Sequence, residues 1–391
     1  MSSSVIVSAA RTPVGVFQGS LAPLSVVKLG AIAIKSAIER AGVKPEIINE
    51  VIMGCVLTGG IGQAPARQAS VFAGIPWNIG ATTINKVCGS GLKAVMLADA
   101  MIRSGDAEVV IAGGMESMSN APYFLPGARQ GYRMGDQKVI DLMIHDGLWD
   151  VYKNCHMGEC ADLLGKEWKI SREDQDRYAI RSYKRAQQAI AEGRFKDEIV
   201  PVEIEDKKGK IVVSEDENPR KLKEDKVPSL KPAFTKDGTV TAANASSLND
   251  GAAAVVVMSE SKAKELGIKP MARIIGHDQA ARESHWFTLA PVDAMKKVLK
   301  KTGYSIDRID LFEINEAFSV QVIAAIREFK LDEEKVNVNG GAVAIGHPIG
   351  CSGARILTTL LYAMKARKAK TGLATLCIGG GEAVAMIVEA M

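Results

Sequence analysis

An α/β fold of two similar halves is predicted by two observations: strand-like apolar runs alternate with helical stretches along the chain, and one such unit occurs twice. In the first copy Cys88-Gly89-Ser90-Gly91 opens a largely apolar helical segment from Leu92 to Arg103, in which Asp99 and Arg103 pair at i,i+4. The strand Glu108-Val109-Val110-Ile111-Ala112 follows and ends in Gly113-Gly114. In the second copy Gly350-Cys351-Ser352-Gly353 opens a helix with Ile356, Leu357, Leu360, Leu361 and Met364 apolar, and Leu373 to Ile378 runs into Gly379, Gly380 and Gly381. Upstream, a helix ending at Gly42 before Val51-Ile52-Met53 is matched by one ending at Gly303 before Leu311-Phe312-Glu313. In this register Cys88 stands opposite Gly350 and Ile111 opposite Cys377, so the scaffold repeats while the chemistry does not. The active site is expected where the halves face each other.

Residues from about 120 to 246 lie outside the repeat. Pro122, Pro126, Gly127, Gly131 and the basic run Lys207-Lys208-Gly209-Lys210 mark loops, and a helix is predicted from Ser171 to Glu192, with Ser171 and Asp174 as a variant capping box. A structureless stretch of this length is improbable inside a compact protein, so it reads as an inserted loop domain that holds substrate over the site.

Lys and Arg number 49 against 45 Asp and Glu, too even a balance for a nucleic-acid partner. No apolar run reaches the roughly 20 residues of a membrane span, and Val5-Ile6-Val7 begins a strand at once, so a cytoplasmic protein without a membrane partner is expected. The six cysteines of a long chain with a large core are expected to be reduced. Cys155-His156 with Cys160 invites a metal reading, but the spacing matches no common zinc site and no metal is expected.

Cys88 precedes a glycine-rich turn and a helix, where the macrodipole favours a thiolate; a depressed pKa and a nucleophilic role are expected, against the plainer role of a buried cysteine. His347, between Gly346 and Pro348 in a constrained turn, is suited to move a thiol proton or to donate to a thioester oxygen. Cys377 closes an apolar strand at the edge where α/β sites form. Asn315, after the strand Ile309 to Ile314, is placed to cap the following helix or to orient a water. His145, His277 and His285 are expected at the surface or in satisfied buried positions, and Cys55 and Cys351 as packing residues without a charge partner.

Cys88-Gly89-Ser90-Gly91, Asn315-Glu316-Ala317-Phe318, Gly346-His347-Pro348-Ile349-Gly350 and Cys377-Ile378-Gly379-Gly380-Gly381 together resemble the four signature blocks of the thiolases. Ser8-Ala9-Ala10-Arg11-Thr12-Pro13, the run from Ala112 to Ser119 and the run from Asn244 to Ala252 extend the likeness over essentially the whole chain. The resemblance implies the thiolase fold, two βαβαβαββ halves in a five-layer αβαβα arrangement. The first half would comprise residues 1–119, completed by about 247–269; residues 120–246 would be the loop domain for CoA binding and oligomer contacts, and 270–391 the second half. A homotetramer or homodimer is also implied.

By the same resemblance Cys88 attacks an acyl-CoA thioester, His347 activates it and Cys377 removes the α-proton of acetyl-CoA. One oxyanion pocket would combine His347 with a water held by Asn315, the other the N–H groups of Cys88 and Gly379. Leu148 and His156-Met157-Gly158 look like the short-chain acetoacetyl-CoA thiolases, which join two acetyl-CoA into acetoacetyl-CoA and CoA and run in reverse. Carried over by motif, Leu148, His156, Met157, Ala242, Ser246, Ala317 and Phe318 line the pantetheine and acyl end, Phe234 flanks CoA and Arg220 approaches its phosphates. CoA thioesters are substrates, and no separate cofactor is implied. A broad-chain degradative 3-ketoacyl-CoA thiolase is the nearer alternative, a non-catalytic acyl-CoA or lipid binder the more distant one.

Overall fold

The computed structural model describes residues 3–206 and 209–391, so the Lys207-Lys208 pair lies outside the described residues. The first half contains β1 (Ser4–Arg11), α1 (Val26–Ala41), β2 (Glu50–Gly54), α2 (Pro65–Phe72), β3 (Gly80–Ile84), α3 (Ser90–Ser104) and β4 (Val109–Ser117). The inserted region carries α4 (Met157–Glu167) and α5 (Arg172–Ala191), after which β5 (Asn249–Ser259) completes the half. The second half is β6 (Ala272–Ala281), α6 (Ala290–Thr302), β7 (Leu311–Ile314), α7 (Ser319–Phe329), α8 (Ile349–Arg367), β8 (Thr371–Ile378) and β9 (Glu382–Ala390).

These strands form one sheet in the order β7-β8-β9-β6-β1-β5-β4-β2-β3, with Gly15–Val16 paired to β5. The order is a palindrome of the repeat: β3-β2-β4-β5-β1 mirrors a bridge at Val336 followed by β7-β8-β9-β6. The halves meet at β1 and β6, where Val5 and Ile6 pair antiparallel with Arg273 and Ala272. Helices α1 and α6 hold equivalent places and end alike, at Gly42 (φ 65°) and Gly303 (φ 72°), a left-handed cap that glycine adopts without strain.

Strand alternation divides the core into layers. Val5 and Val7 of β1 and Val256 and Met258 of β5 pack with α1 and α2, whereas Ile6, Val255 and Val257 face the other way onto α3 and α8. In the second half Val384, Met386 and Val388 of β9 join that same middle cluster, and Ala383, Ala385 and Ile387 face α6 and α7. The sequence of layers is therefore helix, sheet, helix, sheet, helix, with α3 and α8 in the centre.

Equivalent glycines let the two central helices touch. A Cβ on Gly353 would lie 2.3 Å from the backbone N of Leu92, and one on Gly91 2.7 Å from the backbone N of Ala354. Backbone cannot step aside as a side chain can, so Gly353→Val must spread the layer. We expect a loss of about 1–3 kcal/mol, seen as a lower melting temperature; an unchanged melt would show that the central layer tolerates separation.

Ser171 caps α5 by accepting from the N–H of Asp174 at 3.0 Å, but Asp174 turns its carboxylate to Arg177 and Arg327 rather than back to the cap. The reciprocal capping box occurs at α4 instead: His156 Nδ1 accepts from the N–H of Gly158 at 3.0 Å, and Glu159 accepts from the N–H of His156 at 2.9 Å. His156 is thereby fixed in place at the start of α4. Glu316, buried after β7, ties the insertion to the second half by accepting from Tyr178, Ser182, Asn337 and the N–H of Val343.

Candidate active site

Three glycine-rich ends converge. Val87 just before Cys88 has φ 44°, a left-handed conformation that strains a β-branched residue and turns the following thiol outward from the α3 entry. Ser90 locks the turn, accepting from the N–H of Lys86 at 2.8 Å and donating to the carbonyl of Val87 at 2.7 Å. Gly89 lies so near the end of β8 that a Cβ would be 2.3 Å from Ile378 Cδ1. That close approach brings partly exposed Cys88 beside buried Cys377.

The thiol of Cys88 departs from expectation. Burial pushes it up to about 12, while the N–H groups of Gly379 and of Cys88 itself pull the other way. The helix N-terminus is outweighed by the low-dielectric surroundings, so Cys88 rests as a neutral thiol. Cys377 is held well above the ordinary thiol range by burial and by its neighbour Cys88, and donates to Gln321 Oε1 at 3.0 Å.

His347 follows Gly346 (φ 118°), whose missing side chain makes room for Asn249: a Cβ there would be 2.4 Å from Asn249 Cγ. Asn249 Oδ1 accepts the N–H of His347 at 2.9 Å. Ser352 Oγ lies 2.6 Å from His347 Nδ1, and the Ser352 hydroxyl donates to the Pro348 carbonyl at 2.9 Å. With that proton committed, Oγ accepts from Nδ1–H, leaving a lone pair on the Nε2 atom, which has no partner among the described residues. Burial and the buried Arg355 depress this imidazole to about 3. His347 is consequently a neutral base throughout the physiological range. In ¹⁵N-histidine spectra we expect its ring to keep neutral-form shifts down to about pH 4; protonation with a midpoint near 6.5 would overturn the assignment.

Asn315 does not cap a helix, because α7 begins only at Ser319 with Phe318 as its cap residue. Its Nδ2 instead lies 3.5 Å from His347 Nδ1, and its Oδ1 is buried without a partner among the described residues.

Cys88, His347, Cys377 and Gly379 open onto one cavity of about 400 Å³. Leu148, His156, Met157, Phe234, Ala242, Ser246, Ala317 and Phe318 line it too. Phe234 stacks on His156 at 4.6 Å between ring centroids and meets Phe318 edge-on at 6.2 Å. Gly158 permits the stack, since a Cβ there would be 2.2 Å from the Phe234 ring. Arg220 is the exception: its side chain is exposed and paired with Glu215, away from this cavity. Lys221, Lys223 and Lys226 of the same lysine-rich segment line an adjoining recess of about 280 Å³ that shares Ala242.

Several contributors carried no signal of their own in the sequence. Gln321, Asn249 and Ser352 act as partners of the chemical residues, and Met118, Met143, Leu248 and Phe287 complete the walls. Glu116 is buried, is raised to about 7 by burial, and accepts the N–H groups of Val56, Leu57 and Gly350, bracing the turn that carries His347. Cys55, expected to lack a charge partner, meets this carboxylate at 3.9 Å. Among the other histidines His277 bonds Asp99 at 3.0 Å, outside the cavity.

Two thiols, a neutral imidazole and backbone donors around an apolar cavity define a thiol-dependent acyltransferase. Residues 4–261 match the thiolase N-terminal domain and residues 268–390 the thiolase C-terminal domain. The chain is 57% identical over 391 residues to an acetyl-CoA acetyltransferase of Cupriavidus necator, covering 100% of both chains. It is 55% identical to one of Syntrophomonas wolfei, covering 99% of each, and 51% identical to a cytosolic one of Gibberella zeae, covering 98% of this chain and 97% of that one. The chain belongs to the thiolase family. No helix among the described residues is long and apolar enough to cross a membrane.

Proposed function

We propose that this thiolase is an acetyl-CoA C-acetyltransferase, condensing two acetyl-CoA to acetoacetyl-CoA and CoA and catalysing the reverse thiolysis. The observation that carries the reading is the convergence of Cys88, His347 and Cys377 on one narrow cavity, at the lower end of the about 300–1,000 Å³ typical of ligand pockets.

Proton accounting follows from the neutral resting forms. Cys88 Sγ bonds to the acetyl carbon while His347 Nε2 takes its proton, and the departing CoA sulfur takes the proton of Cys377. The Cys377 thiolate then removes the α-proton of a second acetyl-CoA. The resulting enolate carbon bonds to the acetyl carbon on Cys88, whose C–S bond breaks, and the imidazolium returns its proton to Cys88. The N–H groups of Cys88 and Gly379 serve the oxygen of the acyl-enzyme, and His347 with Asn315 serves the enolate oxygen. Losing one donor of this kind costs about 2.7–4 kcal/mol in the barrier.

The pantetheine arm enters between Leu148, Met157 and Phe318, with the His156–Phe234 stack along its side. Its anionic nucleotide end lies toward Lys221, Lys223 and Lys226, a role assigned to them in place of Arg220. Exposed Tyr123, Leu125, Tyr132, Met134 and Val139 on the first part of the insertion support association of copies, as a homotetramer or homodimer. The cytoplasm is the proposed location.

The deciding experiment compares CoA-dependent cleavage of acetoacetyl-CoA with that of a 3-ketoacyl-CoA of ten carbons. Cleavage restricted to the short substrate is expected. Comparable rates would move the protein to the broad-chain degradative class, and no cleavage of either would favour a binding protein.

A further inference from the structure

We propose that Asp150, Cys155 and Cys160 form a binding site for a zinc-class divalent cation, set behind the cavity wall made by His156 and Met157. The segments Trp149–Asp150 and Cys155–His156 pair antiparallel, with Asp150 directly opposite Cys155. Cys160 comes from the first turn of α4, and its Sγ lies 3.7 Å from that of Cys155. One ligand atom from each of the three residues falls within 4.8 Å of the others.

The spacing suits a shared ion. Two zinc–thiolate bonds of about 2.3 Å at a tetrahedral angle hold their sulfurs about 3.8 Å apart, close to the separation the free thiols already have. Asp150 supplies an independent pointer. It is 1% exposed, and its Oδ1 accepts the N–H groups of Tyr152 and Lys153 at 2.9 and 3.2 Å. Its Oδ2 is buried with no hydrogen-bond partner among the described residues. A buried carboxylate oxygen left unpaired is costly, and a cation held between it and the two sulfurs removes that cost. Two thiolates and one carboxylate favour zinc over magnesium or calcium and leave a fourth tetrahedral position for water. Binding releases both thiol protons to solvent, so no redox partner is involved. Because His156 and Met157 lie between the two cysteines, occupancy fixes the start of α4.

The test uses the full-length protein, reduced and stripped of metal, carrying Cys88→Ser so that the nucleophile cannot act as a donor. Cobalt(II) is the probe. We expect one equivalent to bind with thiolate-to-cobalt charge-transfer absorption, zinc to bleach that band, and zinc to raise the melting temperature. Adding Cys160→Ser should abolish the band, and Asp150→Asn should weaken binding by at least about 10-fold with unchanged circular dichroism. A folded protein without the band overturns the site, as does a band that survives both Cys155→Ser and Cys160→Ser. Peroxide linking Cys155 to Cys160 in a protein that binds neither metal also overturns it, making the pair a redox pair.

Discussion

Cys88→Ala protein exposed to acetyl-CoA should show no acetyl adduct in its intact mass, and its thiolysis rate should fall on the order of 10⁶-fold. The size of the loss follows from the way the site is built. His347 is neutral and has its free lone pair on Nε2, yet it has no acyl acceptor of its own, and Cys377 is committed to Gln321. With Cys88 gone, the N–H of Gly379 still polarises a thioester but no nucleophile stands against it, and the Nε2 lone pair of His347 has no thiol to deprotonate. A specific acetyl adduct on the variant would falsify the assignment of Cys88. Because the Cys88 thiol is raised to about 12 and His347 depressed to about 3, the wild-type reaction does not draw on a preformed thiolate–imidazolium pair. The acylating step must move the proton as the S–C bond forms.

Cys377→Ala separates the two half-reactions. The variant should still become acetylated on Cys88, more slowly because the departing CoA sulfur must take its proton from solvent, while exchange of the α-protons of acetyl-CoA in heavy water falls by about 10²–10⁴-fold, the ordinary contribution of a positioned acid or base. Condensation should fall with it. Undiminished exchange would mean that another group removes the α-proton, and loss of acetylation as well would mean that the departing CoA sulfur has no source of a proton besides Cys377. Retained acetylation is expected because Cys377 sits on the outer face of β8 among the α6 and α7 core residues, whereas Cys88 is seated from the middle layer.

The repeat and the chemical residues were legible because each rests on a local pattern, while the layers were implied by the resemblance alone. Glycine before Ser90 and glycine before His347 mark turns, and continuous apolar runs mark strands. What was not legible depends on residues brought together from far apart. Asn249 and His347, or Glu116 and Gly350, touch only after the halves pack. The Cys88 thiol illustrates the limit: its place before a helix argued for a lowered pKa, but how deeply a side chain is buried is a tertiary property. Asn315 was one residue type with two uses, and the start of α7 at Ser319 removes the cap. Arg220 sits in a lysine-rich segment where motif carry-over was weakest, and its neighbours Lys221, Lys223 and Lys226 face the recess instead.

In the first half the hairpin between β4 and β5 is opened by residues 118–248, while the equivalent hairpin between β8 and β9 is closed by Gly379, Gly380 and Gly381. The short turn has no freedom to lengthen. The N–H of Gly379 is directed at the Cys88 sulfur, and Gly381, at φ 93°, would put any Cβ 2.3 Å from the Arg282 carbonyl. The two hairpins of the repeat are therefore unequal in what they can tolerate. One is the fixed tool and the other the adjustable jig, so efforts to alter substrate preference belong in residues 118–248 and not in the glycine turn.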